Sequence, residues 1–186
     1  MTQVLGRAAA LLVLLPVAAC GSAAAHDTAR PDGRMVLVSG RDDHGLQVFP
    51  TLGLYGAPGT HQEVARVADA TLVHVTEISG SWLHVVSAEG KPATGWIDDF
   101  HLRGVVHLVG PAPSCRALVD GKPVEAGLQV VVQQLQGNRV LVTGVQDPTF
   151  RGWTTRGAVQ ELGPQGASCG EDPAGGTHHH GLPKTQ

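Results

Sequence analysis

Ten histidines and three cysteines hold most of the metal-binding and nucleophilic potential of this 186-residue chain. The densest cluster is His178-His179-His180, a tract that can bind zinc, copper or nickel weakly through its imidazoles. Glycine and proline surround it from Glu171 to Gln186, so it reads equally well as part of a polar, disordered tail. His26, His44, His61, His74, His84, His101 and His107 are scattered, although His74 and His84 would share one face of neighbouring strands. Asp42-Asp43-His44-Gly45 sets acid beside base, but between two apolar runs it is more simply a polar turn. Cys115 follows Pro111-Ala112-Pro113-Ser114 without a histidine pattern that would activate it. Cys115 and Cys169 stand far apart, with no CxxC spacing, and so make a poor zinc site. HExxH and a phosphate-cradling glycine loop are missing. These residues point to a non-enzymatic protein that needs no cofactor.

The elements that would position such groups are strands. Glycine (25) and proline (12) punctuate short valine-rich runs, a pattern of strands and turns rather than long helices. The runs are Met35–Val38, Leu46–Phe49, Gly53–Tyr55, Val64–Val67, Thr71–Val75, Trp82–Val86 and Gly95–Ile97, with a turn at Ala57–Thr60. An all-β fold is therefore expected. There is no basic stripe and no basic-aromatic cluster, so nucleic acid is not an expected partner.

A shift of 57 positions lays the second half on the first without a gap. Val73 and Val75 meet Val130 and Val132, Gly80 meets Gly137, Leu83 and Val85 meet Val140 and Val142, and Gly95-Trp96 meets Gly152-Trp153. The coincident residues share one strand face, because side chains alternate along a strand. The opposite face diverges: Trp82, His84 and Val86 correspond to Arg139, Leu141 and Thr143. Trp82 is thus expected to face outward, where an exposed aromatic makes a good binding anchor. Packing against the second unit is the alternative. Trp96 and Trp153 are expected in the barrel core or at its rim.

The stretch Val73 to Val85, with Gly80-Ser81-Trp82, followed by Thr94-Gly95-Trp96-Ile97, resembles the bacterial SH3 (SH3b) family. Leu54-Tyr55-Gly56-Ala57-Pro58-Gly59 is similar to the family's early Pro-Gly segment, without its usual Asn and Arg. The resemblance covers residues 50–103 well and 120–162 more weakly, because Arg139 stands in place of the first tryptophan. It implies small, strongly bent barrels that bind cell-wall peptides or other proteins, with Tyr55 and Phe100 flanking the same groove as Trp82. The expected architecture is two tandem SH3-like β-barrels, 35–108 and 109–169, followed by a disordered tail at 170–186.

The first residues are of a different kind. Arg7 precedes an apolar run, Ala8 to Val17, that ends in small residues. This is the pattern of a secretory signal, and it is too short for a permanent membrane span. Val17-Ala18-Ala19-Cys20 resembles the lipobox of bacterial lipoproteins, which implies cleavage after residue 19 and acylation of Cys20. Two or more acyl chains hold a protein stably, each methylene contributing about 0.8 kcal/mol. Residues 20–34 then form a flexible tether, and the protein is expected on the extracytoplasmic face of the cell membrane. Loss of Arg7 with the signal takes the formal charge from −3 to −4. Export also leaves Cys115 and Cys169 as an even pair in a disulfide-permissive compartment. Closing that loop would stabilise by roughly 4 kcal/mol in the chain-entropy model. The expected function is a membrane-anchored module binding a peptidoglycan peptide or another envelope component. The alternative is a scaffold that docks a membrane or secreted protein.

Overall fold

Met35-Val36-Leu37-Val38 is an unbroken apolar run, and it is buried on both faces as strand β1 (Met35–Val38). The computed structural model describes residues 35–42, 46–111 and 114–161. The signal, lipobox, tether and histidine tract all lie outside them. Alternation along β1 divides its side chains between two cores. Val36 and Val38 join Leu52, Leu54, Val73, Leu83, Val85 and Ile97 in the first. Met35 and Leu37 join Val106, Leu108, Val130, Val132, Val140 and Val142 in the second.

The fold is all-β, with one large antiparallel sheet, continuous through β1, curled round both cores. After β1 come β2 (Thr51–Tyr55), β3 (Glu63–Ala68), β4 (Leu72–Ser79), β5 (Trp82–Ser87), β6 (Thr94–Asp98) and β7 (Leu102–Arg103). The second unit follows with β8 (Val106–Leu108), β9 (Arg116–Val119), β10 (Lys122–Glu125), β11 (Gln129–Gln136), β12 (Arg139–Gly144), β13 (Arg151–Thr155) and β14 (Val159–Gln160). The main path of the sheet runs β13-β12-β11-β1-β4-β5-β6-β2-β3, while β9 and β10 form a separate hairpin. β1 therefore bridges the units, pairing with β4 on one side and β11 on the other. The strand just ahead of residue 109, β8, packs in the second core and not the first.

The repeat is visible strand by strand. β4, β5, β6 and β7 have counterparts at the same 57-residue offset in β11, β12, β13 and β14, with equal lengths. A bulge falls between Val75 and Glu77 in one unit and between Val132 and Gln134 in the other. Each unit also has a short 3-10 turn before its last strand, Asp99–His101 and Arg156–Ala158. β8 plays for β11 and β14 the part that β1 plays for β4 and β7. The shared glycine before tryptophan has a steric cause. A Cβ on Gly95 would come 2.9 Å from Leu54 Cβ, and one on Gly152 would come 2.5 Å from Val119 Cγ1. In each unit a neighbouring strand packs closely against that glycine, β2 in the first and β9 in the second.

Two expectations change. Leu46–Phe49 does not form a strand: Gln47 makes one isolated bridge to Arg41, and Leu46, Val48 and Phe49 are exposed. Its apolar side chains belong to neither core, and Phe49 instead meets the His101 ring edge-on. Trp96 and Trp153 are half-buried on the outer face, while their neighbours Gly95, Ile97, Gly152 and Thr154 point inward.

Thr154 takes the place that Ile97 holds in the first unit. It is buried beside Val140, and its hydroxyl has no hydrogen-bond partner. An unsatisfied buried hydroxyl costs about 1–3 kcal/mol. Thr154→Val, which keeps the shape and removes the polar atom, is expected to raise stability by about 1 kcal/mol in urea denaturation.

Charged side chains tie the units together. The Arg156 guanidinium grips both carboxylate oxygens of Glu89 at 2.7–2.9 Å and also donates to the Ala70 carbonyl. Arg103, which is buried, donates to Glu161 at 2.7 Å. Cys115 is disulfide-bonded; the partner cysteine, expected to be Cys169, lies outside the described residues.

Candidate functional site

Trp82 opens β5 directly after the Gly80-Ser81 turn. Leu83 and Val85 enter the core, so alternation turns Trp82 outward. Opposite it on β6 stands Asp98. The Tyr55 ring, from β2, meets Trp82 at 5.8 Å and nearly perpendicular. These three residues, with Phe49, Gly53, Glu63, Arg66 and His101, line a groove of about 320 Å³ on the outer face of the first barrel.

Gly53 lies beside Glu63 in the groove lining. A Cβ on it would approach Glu63 Oε2 to 2.7 Å, a contact that the flexible end of this exposed side chain can relieve by shifting. Glu63 in turn pairs with Arg66 at 3.4 Å, with both side chains well exposed. Asp98 caps the following 3-10 turn by accepting the Phe100 N–H at 3.0 Å, and it accepts the Ser81 hydroxyl at 3.4 Å. Asp99 is held above the usual carboxylate range, by burial first and then by its neighbour Asp98.

His101 closes the far end. Its Nδ1 lies 3.2 Å from the Ser39 carbonyl. Because a carbonyl can only accept, Nδ1 carries the proton in this contact. Burial lowers the His101 pKa, against a smaller opposite push from the Ser39 hydrogen bond. The ring is therefore uncharged at neutral pH. Phe49 and Phe100 both meet His101 edge-on, at 6.2 and 5.1 Å.

Of the three residues expected to bind ligand, the structure brings Trp82 and Tyr55 together in the groove. Phe100 stands behind His101 and does not line the cavity. Sequence reasoning missed Phe49, Glu63, Arg66, Asp98 and His101. Asp98 had a signal, since alternation from Ile97 sets it on the outer face beside Trp82. Phe49 had none, because it arrives on the exposed arm.

The same places in the second unit carry other side chains. Arg139 replaces Trp82, and its guanidinium lies over the Trp153 ring, 5.3 Å from the centroid. Thr155 replaces Asp98 and Ala158 replaces His101. Asp120 occupies the edge that Tyr55 holds in the first unit, accepting the Trp153 N–H at 3.1 Å. His74 and His84 do not face each other: the bulge sets His74 opposite Val86 and His84 opposite Glu77. Among the described residues no group of three or more His, Cys, Asp or Glu side chains could hold a metal ion. The tract His178-His179-His180 lies outside them. Among the described residues no helix is long and apolar enough to cross a membrane. No family model matches the sequence, and no curated protein is similar enough to count as a relative.

Proposed function

We propose that this chain is a non-enzymatic, lipid-anchored binding protein of the cell envelope whose first barrel takes a cell-wall peptide in the groove beside Trp82. The observation that carries this reading is the groove itself, with two perpendicular aromatic rings at one end and a third aromatic with His101 at the other. Rigid aromatic walls offer large contact area at low conformational cost, and such residues dominate binding energy at interfaces. The lipobox at Cys20 supports a location at the membrane, where the wall is within reach of a tether. The second barrel, with Arg139 folded onto Trp153, acts as a support. The exposed arm Leu46, Val48 and Phe49 favours a second reading, in which the same face docks another envelope protein.

Co-sedimentation of the full-length chain, in mild detergent, with purified sacculi tests the first reading. Wild type is expected to sediment. Trp82→Ala is expected to lose at least about thirtyfold in affinity, the size of an anchor residue's contribution. The variant should keep its circular dichroism spectrum, because Trp82 lies outside both cores. Wild type remaining in the supernatant would sink the wall reading and move the search to protein partners.

A further inference from the structure

We propose that the groove selects its ligand through a cationic side-chain group, a primary ammonium held between the Trp82 ring and the Asp98 carboxylate. This inference rests on the groove being a peptide site, and it adds the chemistry that the site would select.

Charge in the groove leads to it. The titratable side chains lining the cavity are Tyr55, Glu63, Arg66, Asp98 and His101. Glu63 and Arg66 offset each other as an ion pair, and His101 spends its Nδ1 proton on the Ser39 carbonyl. Asp98 is left as the uncompensated charge. Its oxygens accept from the Phe100 N–H and the Ser81 hydroxyl, both neutral donors, and its carboxylate also meets the Asp99 side chain. A carboxylate has about four acceptor sites, so capacity remains. Among the described residues no cation stands within ion-pair distance of it.

Geometry places an aromatic beside that carboxylate. Trp82 and Asp98 are direct cross-strand partners on the outer face, and Tyr55 stands perpendicular to the indole. A cation within about 6 Å of an indole ring is attracted by the ring quadrupole, and more strongly when partly desolvated. The repeat supplies an internal precedent. In the second unit the residue at the place of Trp82 is Arg139, and its guanidinium already lies 5.3 Å from the Trp153 centroid. That outer face thus accommodates a cation over an indole. In the first unit an indole stands where the cation stood, beside a carboxylate, and among the described residues no cation pairs with either. An ammonium from a diamino residue of a wall peptide has the charge, length and donors to fill that place.

The test uses the full-length chain in mild detergent with native sacculi, with sacculi whose free amines are acetylated, and with a terminally blocked pentapeptide bearing one lysine. Acetylation is expected to lower the bound fraction at least tenfold, and Asp98→Asn to do the same on native sacculi. Asparagine can still cap the 3-10 turn, so loss of binding in a variant with an unchanged circular dichroism spectrum reports the charge. Equal binding of native and acetylated sacculi would overturn the ammonium while leaving the wall reading intact. Failure on sacculi, with Asp98-dependent binding of the lysine peptide, would support the ammonium and overturn the wall. An arginine peptide that binds more tightly than the lysine peptide would overturn the choice of ammonium over guanidinium. No binding to any probe would overturn both readings.

Discussion

Replacing Leu37 with alanine is expected to lower stability by about 3 kcal/mol and to weaken both barrels in one transition. Leu37 is 1% exposed and its side chain packs in the second core. Its backbone, however, pairs with Leu72 and Arg103 of the first unit. The next residue in the N-terminal direction, Val36, reverses the arrangement: it fills the first core on a strand that also pairs with β11. Loss of either side chain leaves a cavity beside a strand that both units need. Val36→Ala, with fewer atoms removed, is expected to cost about 2 kcal/mol. Urea denaturation read by tryptophan fluorescence and by far-ultraviolet circular dichroism checks this. Two of the indoles, Trp82 and Trp96, report the first unit, and Trp153 reports the second. Both variants should shift both signals together. A curve that splits into two steps, with only one of them moved by Leu37→Ala, would show that the barrels unfold independently and that β1 does not couple them.

Glu161→Ala is the second large effect, about 3 kcal/mol of destabilisation. The Arg103 guanidinium is 3% exposed, and Glu161 is its acidic partner at 2.7 Å, with Arg41 at 3.5 Å from the same carboxylate. Removing the acid strands a buried cation, which costs about 3–5 kcal/mol, whereas replacing the whole pair with apolar groups is often neutral. Arg103→Met with Glu161→Leu should therefore recover most of what Glu161→Ala loses, and a double-mutant cycle measures the coupling. A functional consequence follows from the other bonds of Arg103. Its Nη1 donates to the Phe100 carbonyl at 2.6 Å, and the Phe100 ring braces His101 at the end of the groove. Glu161→Ala should thus weaken sacculus binding as well as stability. If it unfolds at the wild-type urea midpoint, the pair contributes little to holding the units together.

Much of the groove depends on contacts between residues distant in the chain. Glu161 stands 58 residues from Arg103, and Ser39 stands 62 from the His101 that it orients. Neither link leaves a trace in local pattern. The repeat did leave one, because a strand's two faces alternate with period two and a duplicated core must keep one of them. Leu83 and Val85 matching Val140 and Val142 was enough to set β5 against β12 and to turn Trp82 outward. Gly95 and Gly152 were legible as matching positions, but the reason for glycine appeared only where β6 and β13 approach Leu54 and Val119.

Alternation and turn chemistry act within a few residues, so the all-β class, the spacing of the two units and the outward face of Trp82 were legible from the chain alone. Met35–Val38 was legible there as an apolar run. That its two faces serve two different cores emerged only on folding. That choice is made by which strand edges meet when the sheet curls, and edge pairing joins residues such as Met35 and Val132 whose separation no local period records. For the same reason Phe49, Asp98 and His101 became one groove with Trp82, while Phe100, beside His101 in sequence, is not among the lining residues.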